Sequence, residues 1–220
     1  NQVISTTRPA LKLTGGGTAF EPQFKTPVEL NAVTPSRMII VGKTAIYESS
    51  DQGSTIQMIG PNTTTAKNDT RSDQDAIAAG GFRSGVPNAD ALYVGVGDKL
   101  QIRTSAGGPL VERDPNPGSE SWIRDVVMSG LDWGTAYAID RTRVYRTIDA
   151  GVSWDEVTGD LAAVSGVGSP AGGYLHSIEY VPGTVGAIVI GTSQGVFRCV
   201  TSALGTWTEV GTALPNVPVW

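Results

Sequence analysis

Cysteine and histidine occur once each in this chain, and the two absences exclude a good deal. A lone Cys199 rules out an internal disulfide. It stands in an apolar run and reads as a packed thiol. With His176 the only histidine, no His-based metal cluster can form, and no metal site is expected. A Ser–His–Asp triad would have to use His176, yet no Gly-x-Ser-x-Gly elbow surrounds any serine. Charge is scarce as well: charged residues are 17% of the chain, net charge is −5, and the basic residues form no cluster. That argues against nucleic acid as a partner. No apolar run approaches the roughly eighteen residues that cross a membrane. No amphipathic helix stands out. No Walker or dinucleotide glycine pattern follows a strand and opens a helix, so no cofactor is expected.

Turn formers are abundant, with 28 Gly and 13 Pro. Together with plentiful Thr, Ser and Val they favour many short strands. The stretch that organises the chain is Thr147-Ile148-Asp149-Ala150-Gly151-Val152-Ser153-Trp154. It lies between two strand-like runs and reads as a hairpin corner. Gly151 supplies unusual backbone angles. Asp149 accepts hydrogen bonds from the turn's own amides, and the hydroxyls of Thr147 and Ser153 cap further groups. Trp154 lies over the turn.

The corner recurs. Ser49-Ser50-Asp51-Gln52-Gly53-Ser54-Thr55-Ile56 is a second copy, with Ser49, Asp51, Gly53 and Thr55 in the same roles. A third, Thr104 to Pro109, keeps Gly108 but has Ala106 where the Asp is expected. A fourth, degenerate, retains Gly205 and Trp207. The corner glycines stand 55, 43 and 54 residues apart. Such periods suit four-stranded propeller blades. Apolar runs at 37–41, 91–96, 135–139 and 186–190 precede the corner strands, and a further strand lies upstream of each, at 28–33, weakly at 75–79, at 123–128 and at 175–180. The expectation is an all-β propeller segment of four four-stranded blades, at 23–65, 66–117, 118–162 and 163–213. Residues 1–22 read as an outer strand of a preceding blade or an N-terminal extension, and 214–220 as the start of a further blade. The chain begins at Asn1 and carries no signal peptide, which reads as a processed or excised piece. An open stack exposes unpaired faces. The expected partners are therefore further blades from another chain, another copy or missing polypeptide, closing a larger ring.

The pattern Ser/Thr-x-Asp-x-Gly-x-Ser/Thr-Trp in these corners resembles the Asp-box, or bacterial neuraminidase repeat. The chain is thereby similar to the Asp-box β-propeller superfamily of sialidases, sortilin-type receptors, xyloglucan-cleaving glycoside hydrolases and photosystem II assembly factors. The resemblance covers most of residues 25 to 215. It implies the fold and is nearly silent on function. The closing phrase from Gly211 to Trp220 resembles an inter-blade link of large secreted proteins, which implies an extracellular or cell-surface setting. Sialidases of this fold carry an Arg-Ile-Pro motif; the nearest stretch here, Phe82-Arg83-Ser84-Gly85-Val86-Pro87, does not match.

Candidate chemistry sits on the innermost strands. Asp125 and Glu179 are an acid–base pair if they stand about 5–10 Å apart. His176, Glu29 and Asn31 share that location. Arg124 and Asp125 alternate, so only one of them faces a given surface. Trp122, Trp133 and Tyr174, with Arg124, are candidates for a sugar or peptide platform, or else are plugs between blades. Asp69, Asp73 and Asp75 read as a solvated acidic loop without calcium-loop spacing. The sequons at Asn62 and Asn68 matter only in a glycosylating host. The preferred reading is a non-catalytic extracellular scaffold or binding module for protein or glycan. The alternatives are part of a glycoside hydrolase and a protein-binding assembly factor or receptor domain.

Overall fold

In the computed structural model of the chain, residues 12–14, 20–23, 25–61, 76–168 and 173–211 are described. The acidic loop, the sequons and residues 212–220 lie outside them.

The strands follow one another in four antiparallel meanders. β1 (Lys12–Thr14) precedes the first, formed by β2 (Val28–Leu30), β3 (Met38–Val41), β4 (Ala45–Ser49) and β5 (Thr55–Pro61). The second is β6 (Ile77–Arg83), β7 (Val86–Val96), β8 (Lys99–Arg103) and β9 (Val111–Arg113). The third is β10 (Asp125–Met128), β11 (Ala136–Ile139), β12 (Val144–Thr147) and β13 (Asp155–Glu156). A one-turn helix, α1 (Leu161–Ser165), leads to β14 (Leu175–Val181), β15 (Ala187–Thr192), β16 (Gly195–Val200) and β17 (Thr208–Glu209). Each sheet keeps its strands in sequence order. The first has a fifth member: β1 pairs in parallel with the outer edge of β5, Lys12 opposite Thr55.

These sheets are four blades of a β-propeller. Alternation along each strand sends one set of side chains to each neighbouring blade. Ile39, Val41 and Ile46 of blade 1 meet Leu92, Val94 and Val96 of blade 2. Tyr93, Leu100 and Ile102 meet Val126, Ala136 and Ala138 of blade 3. Tyr137, Ile139 and Val144 meet Ile178, Ile188, Ile190, Phe197 and Cys199 of blade 4. Cys199 is thus a buried thiol of this last seam, and burial raises its pKa. On the far side of blade 1, Ile40, Tyr47 and Ile56 are covered by Leu13 and Phe20, whose ring meets Tyr47 edge-on. Inner strands pack β2 on β6, β6 on β10 and β10 on β14, and among the described residues no comparable contact joins β14 to β2. The described blades form an open arc.

Polar groups lock the seams. Arg103 reaches from β8 to grip both oxygens of Glu48 at 3.0 and 2.9 Å, and Arg37 joins Glu48 to Asp90. Asn31, 3% exposed, donates to the Ala89 carbonyl of blade 2 and caps the amides of Val33 and Thr34. Gly80, at φ +73, must be glycine here, because a Cβ would stand 2.3 Å from Asn31 Oδ1.

Two corners share one hydrogen-bond scheme. Thr147 Oγ1 accepts from the amides of Asp149 and Gly151, while Asp149 accepts from the Ser153 amide and hydroxyl. Ser49, Asp51, Gly53 and Thr55 repeat it bond for bond. The Ser153 hydroxyl and amide hold the Asp149 carboxyl down at about 2. The Thr55 amide and hydroxyl lower Asp51 in the same way. Trp154 is half-buried and packs on the seam between blades 2 and 3. In blade 2 the left-handed residue is Gly107 (φ +64), and Gly108 closes the turn by donating to the Ser105 carbonyl. In blade 4 Gly205 (φ +83) follows a 3-10 turn at Thr201–Ala203.

Candidate functional site

The four inner strands surround a central cavity of about 540 Å³. Glu29 and Lys25 come from the blade 1 side, Asp125 from β10, and His176, Ser177 and Glu179 from β14. Blade 2 contributes only Ile77, Ala78, Ala79 and Gly80, so that wall carries no polar side chain. Asp125, His176 and Glu179 therefore line one cavity, from two adjacent blades. Arg124, one residue before β10, is not part of the lining.

The geometry assigns the wall residues different tasks. Asp125 Oδ2 accepts from the Ile178 amide of blade 4 at 2.8 Å, and Oδ1 accepts from the Val126 amide at 2.8 Å. Both oxygens serve backbone amides, and one of those bonds ties blade 3 to blade 4. His176 Nε2 meets Ser193 Oγ at 2.9 Å. Such a pair has the reach of a base and a nucleophile. The same Oγ, however, accepts from the Tyr174 amide and sits 3.4 Å from the Tyr174 carbonyl, which makes it a staple between the ends of β14 and β15. Glu179 is exposed at the cavity. Among the described residues no three His, Cys, Asp or Glu side chains cluster as a metal site requires.

The aromatic candidates are half-buried. The Arg83 guanidinium lies 4.0 Å from the Trp133 ring centre, and Arg141 lies 3.7 Å from that of Tyr174. Each ring thus has one face already occupied by a cation. Trp122 is half-buried beside β10.

A second cavity, of about 310 Å³, lies between the corners of blades 2 and 3. Trp133 lines it with Ile102, Val111, Arg113 and Val152. Nothing local in the sequence marks Arg113 or Ser193. Each gains its neighbours only from pairing between strands.

No protein-family model matches the sequence, and no curated protein matches it. Solved structures do. An ancestral GH74 enzyme superposes with a TM-score of 0.62 at 13% identity, over 90% of this chain and 27% of that one. YCF48 from Cyanidioschyzon merolae gives 0.53 at 17% identity, over 85% and 56%. The Cps50 (Swd1) β-propeller domain of Myceliophteria thermophila gives 0.55 at 11% identity, over 90% and 60%. The chain spans between 27% and 60% of the length of these structures. At such identities the likeness shows the β-propeller fold. One of these neighbours is an enzyme, and a shared fold at such identities carries no activity over.

Proposed function

We propose that this chain is a segment of an Asp-box propeller that works by binding, outside the cell or at its surface, and not by catalysis. Further blades, from another chain, another copy or more of the same polypeptide, complete its ring. The exposed inner strand β2, with Val28 and Leu30 at 50% and 53% exposure, supports an edge made to be covered. A scattering measurement on the purified chain tests this part. A compact closed ring of one 22.9 kDa chain would sink it.

One observation carries the non-catalytic reading: both Asp125 oxygens accept backbone amides, one of them across a blade seam. An acid–base residue needs a carboxyl turned to substrate. The competing reading, part of a glycoside hydrolase, draws on the cavity that Asp125, Glu179 and His176 line together. Asp125→Asn separates the two. The amide leaves either Val126 or Ile178 facing an NH₂ group, which costs about 1–3 kcal/mol. A lower melting temperature is expected, with no turnover of xyloglucan or sialosides by either form. Unchanged melting with lost glycan hydrolysis would establish the enzyme.

A further inference from the structure

We propose that the groove between the corners of blades 2 and 3 docks an extended peptide segment carrying an apolar side chain next to a carboxylate. The proposal rests on the binding-module reading and names the kind of ligand and its place.

In an antiparallel meander the first and third turns lie at the same end. This end therefore gathers the β6–β7 tip, the β8–β9 corner, the β10–β11 loop and the β12–β13 corner. They are knitted together: the Trp133 amide donates to the Phe82 carbonyl, Ala150 to Gly134, and Arg83 pairs with Asp132 at 2.6 Å. The groove between the two corners is walled by Ile102, Pro109, Val111, Trp133 and Val152. The same end also exposes the apolar side chains of Phe82, Val86, Leu131 and Ile148, between 39% and 66%. A small ligand would fill the groove and leave those side chains in water. An extended chain covers both.

Arg113 sets the charge of the occupant. It is half-buried in this wall, its stem lying against the Gly151 backbone, where an added Cβ would come 3.4 Å from Arg113 Cγ. Among the described residues it makes no side-chain hydrogen bond and no ion pair, in a chain whose net charge is −5. The one anion among the residues that line the groove, Asp149, turns its oxygens into its own corner, toward Thr147 and Ser153. A guanidinium partly stripped of water and left without an anion is a site for a carboxylate, which it grips through paired N–H groups.

Selection of short random peptides displayed on phage against the full chain tests this. The most enriched sequence is then synthesised with a fluorescent label and titrated by anisotropy. The expected winners hold Asp or Glu beside a large apolar residue. Their Kd should rise at least about tenfold with Arg113→Gln, the loss of one charged hydrogen-bond partner. Val152→Glu, at an exposed lip position, should weaken binding similarly, and both variants should melt like the parent. Replacing the peptide's acid by its amide should weaken binding to the parent and leave binding to Arg113→Gln unchanged. Winners that lack an acid, or that bind both variants like the parent, overturn the groove and leave the binding-module reading standing. A selection that enriches nothing overturns the groove too; glycan turnover alongside it would overturn the module as well. Self-association in sedimentation that Arg113→Gln abolishes would make a second copy the occupant, and the peptide proposal would fall.

Discussion

Gly159→Ala should lower the melting temperature by about 6–12 °C, because among the described glycines its added Cβ would make the shortest approach to backbone atoms. Gly159 leaves β13 with φ +54, and an added Cβ would stand 2.0 Å from the Gly205 carbonyl oxygen and 2.3 Å from its Cα. Those atoms are backbone and cannot rotate away. The contact is also tied at both sides. Asp160 donates its amide to the Gly205 carbonyl, and its carboxylate accepts the Trp207 amide. Trp207, 3% exposed, donates its ring N–H to the Thr158 carbonyl and plugs the seam between blades 3 and 4. Overpacking adds about 1–3 kcal/mol and left-handed strain about 1 kcal/mol, so about 3 kcal/mol is expected. For a domain of this size each kcal/mol moves the midpoint about 2–4 °C. Gly107→Ala is the control, because Gly107 is also left-handed but its Cβ would meet nothing within 4 Å. It isolates the strain from the clash. If both variants melt together, the approach of Gly159 to Gly205 is not a constraint on the fold.

The second large effect belongs to Glu48. Glu48→Ala leaves Arg103, whose side chain is only 6% exposed, without the carboxylate it grips with two nitrogens. Breaking a buried pair by deleting one partner costs about 3–5 kcal/mol. The exposed pair Arg83–Asp132, at 43% and 40% side-chain exposure, provides the contrast. Asp132→Ala should cost under about 1 kcal/mol of ion-pair energy. The dependence on pH follows from the same contacts. Burial alone would raise the Glu48 carboxyl, but the hydrogen bonds from Arg103 and Arg37 outweigh it and hold the group below its ordinary 4.5. A carboxyl lowered by folding stabilises fully above its unfolded value and loses that contribution as pH falls through its folded one. The gap between parent and variant should therefore be constant from neutral pH down to about 5 and narrow below it. Denaturant midpoints across that range measure it. A gap that widened on acidification would contradict the ion pair.

Much of the architecture was legible because it is written locally. The apolar runs at 37–41, 91–96, 135–139 and 186–190 fall on the second strands of the four blades, where both faces are covered. The 49–55 and 147–153 corners carry their own acceptors. The β6–β7 hairpin was harder to read. Gly80, Gly81 and Pro87 look like breakers, yet Phe82 pairs with Pro87 and Arg83 with Val86 around a tight turn with Ser84 and Gly85 at positive φ. In the fourth corner, which lacks an Asp, closure depends on residues of the preceding blade: Asp160 accepts from Trp207.

The candidate site divides the same way. That Asp125, His176 and Glu179 lie on inner strands follows from the order of strands within each repeat. That Asp125 is a strut depends on the Ile178 amide, 53 residues away. Glu48 and Arg103 are 55 residues apart, and Asn31 and Ala89 are 58. A corner closes over four residues, so its side chains and their targets appear together in the sequence. A blade seam joins residues one repeat apart, and which carboxylate meets which cation there is set by strand register and blade packing. The sequence by itself determined four blades and the chemistry of two corners; only the tertiary structure decided which polar groups hold the seams and which, like Arg113, are left facing a groove.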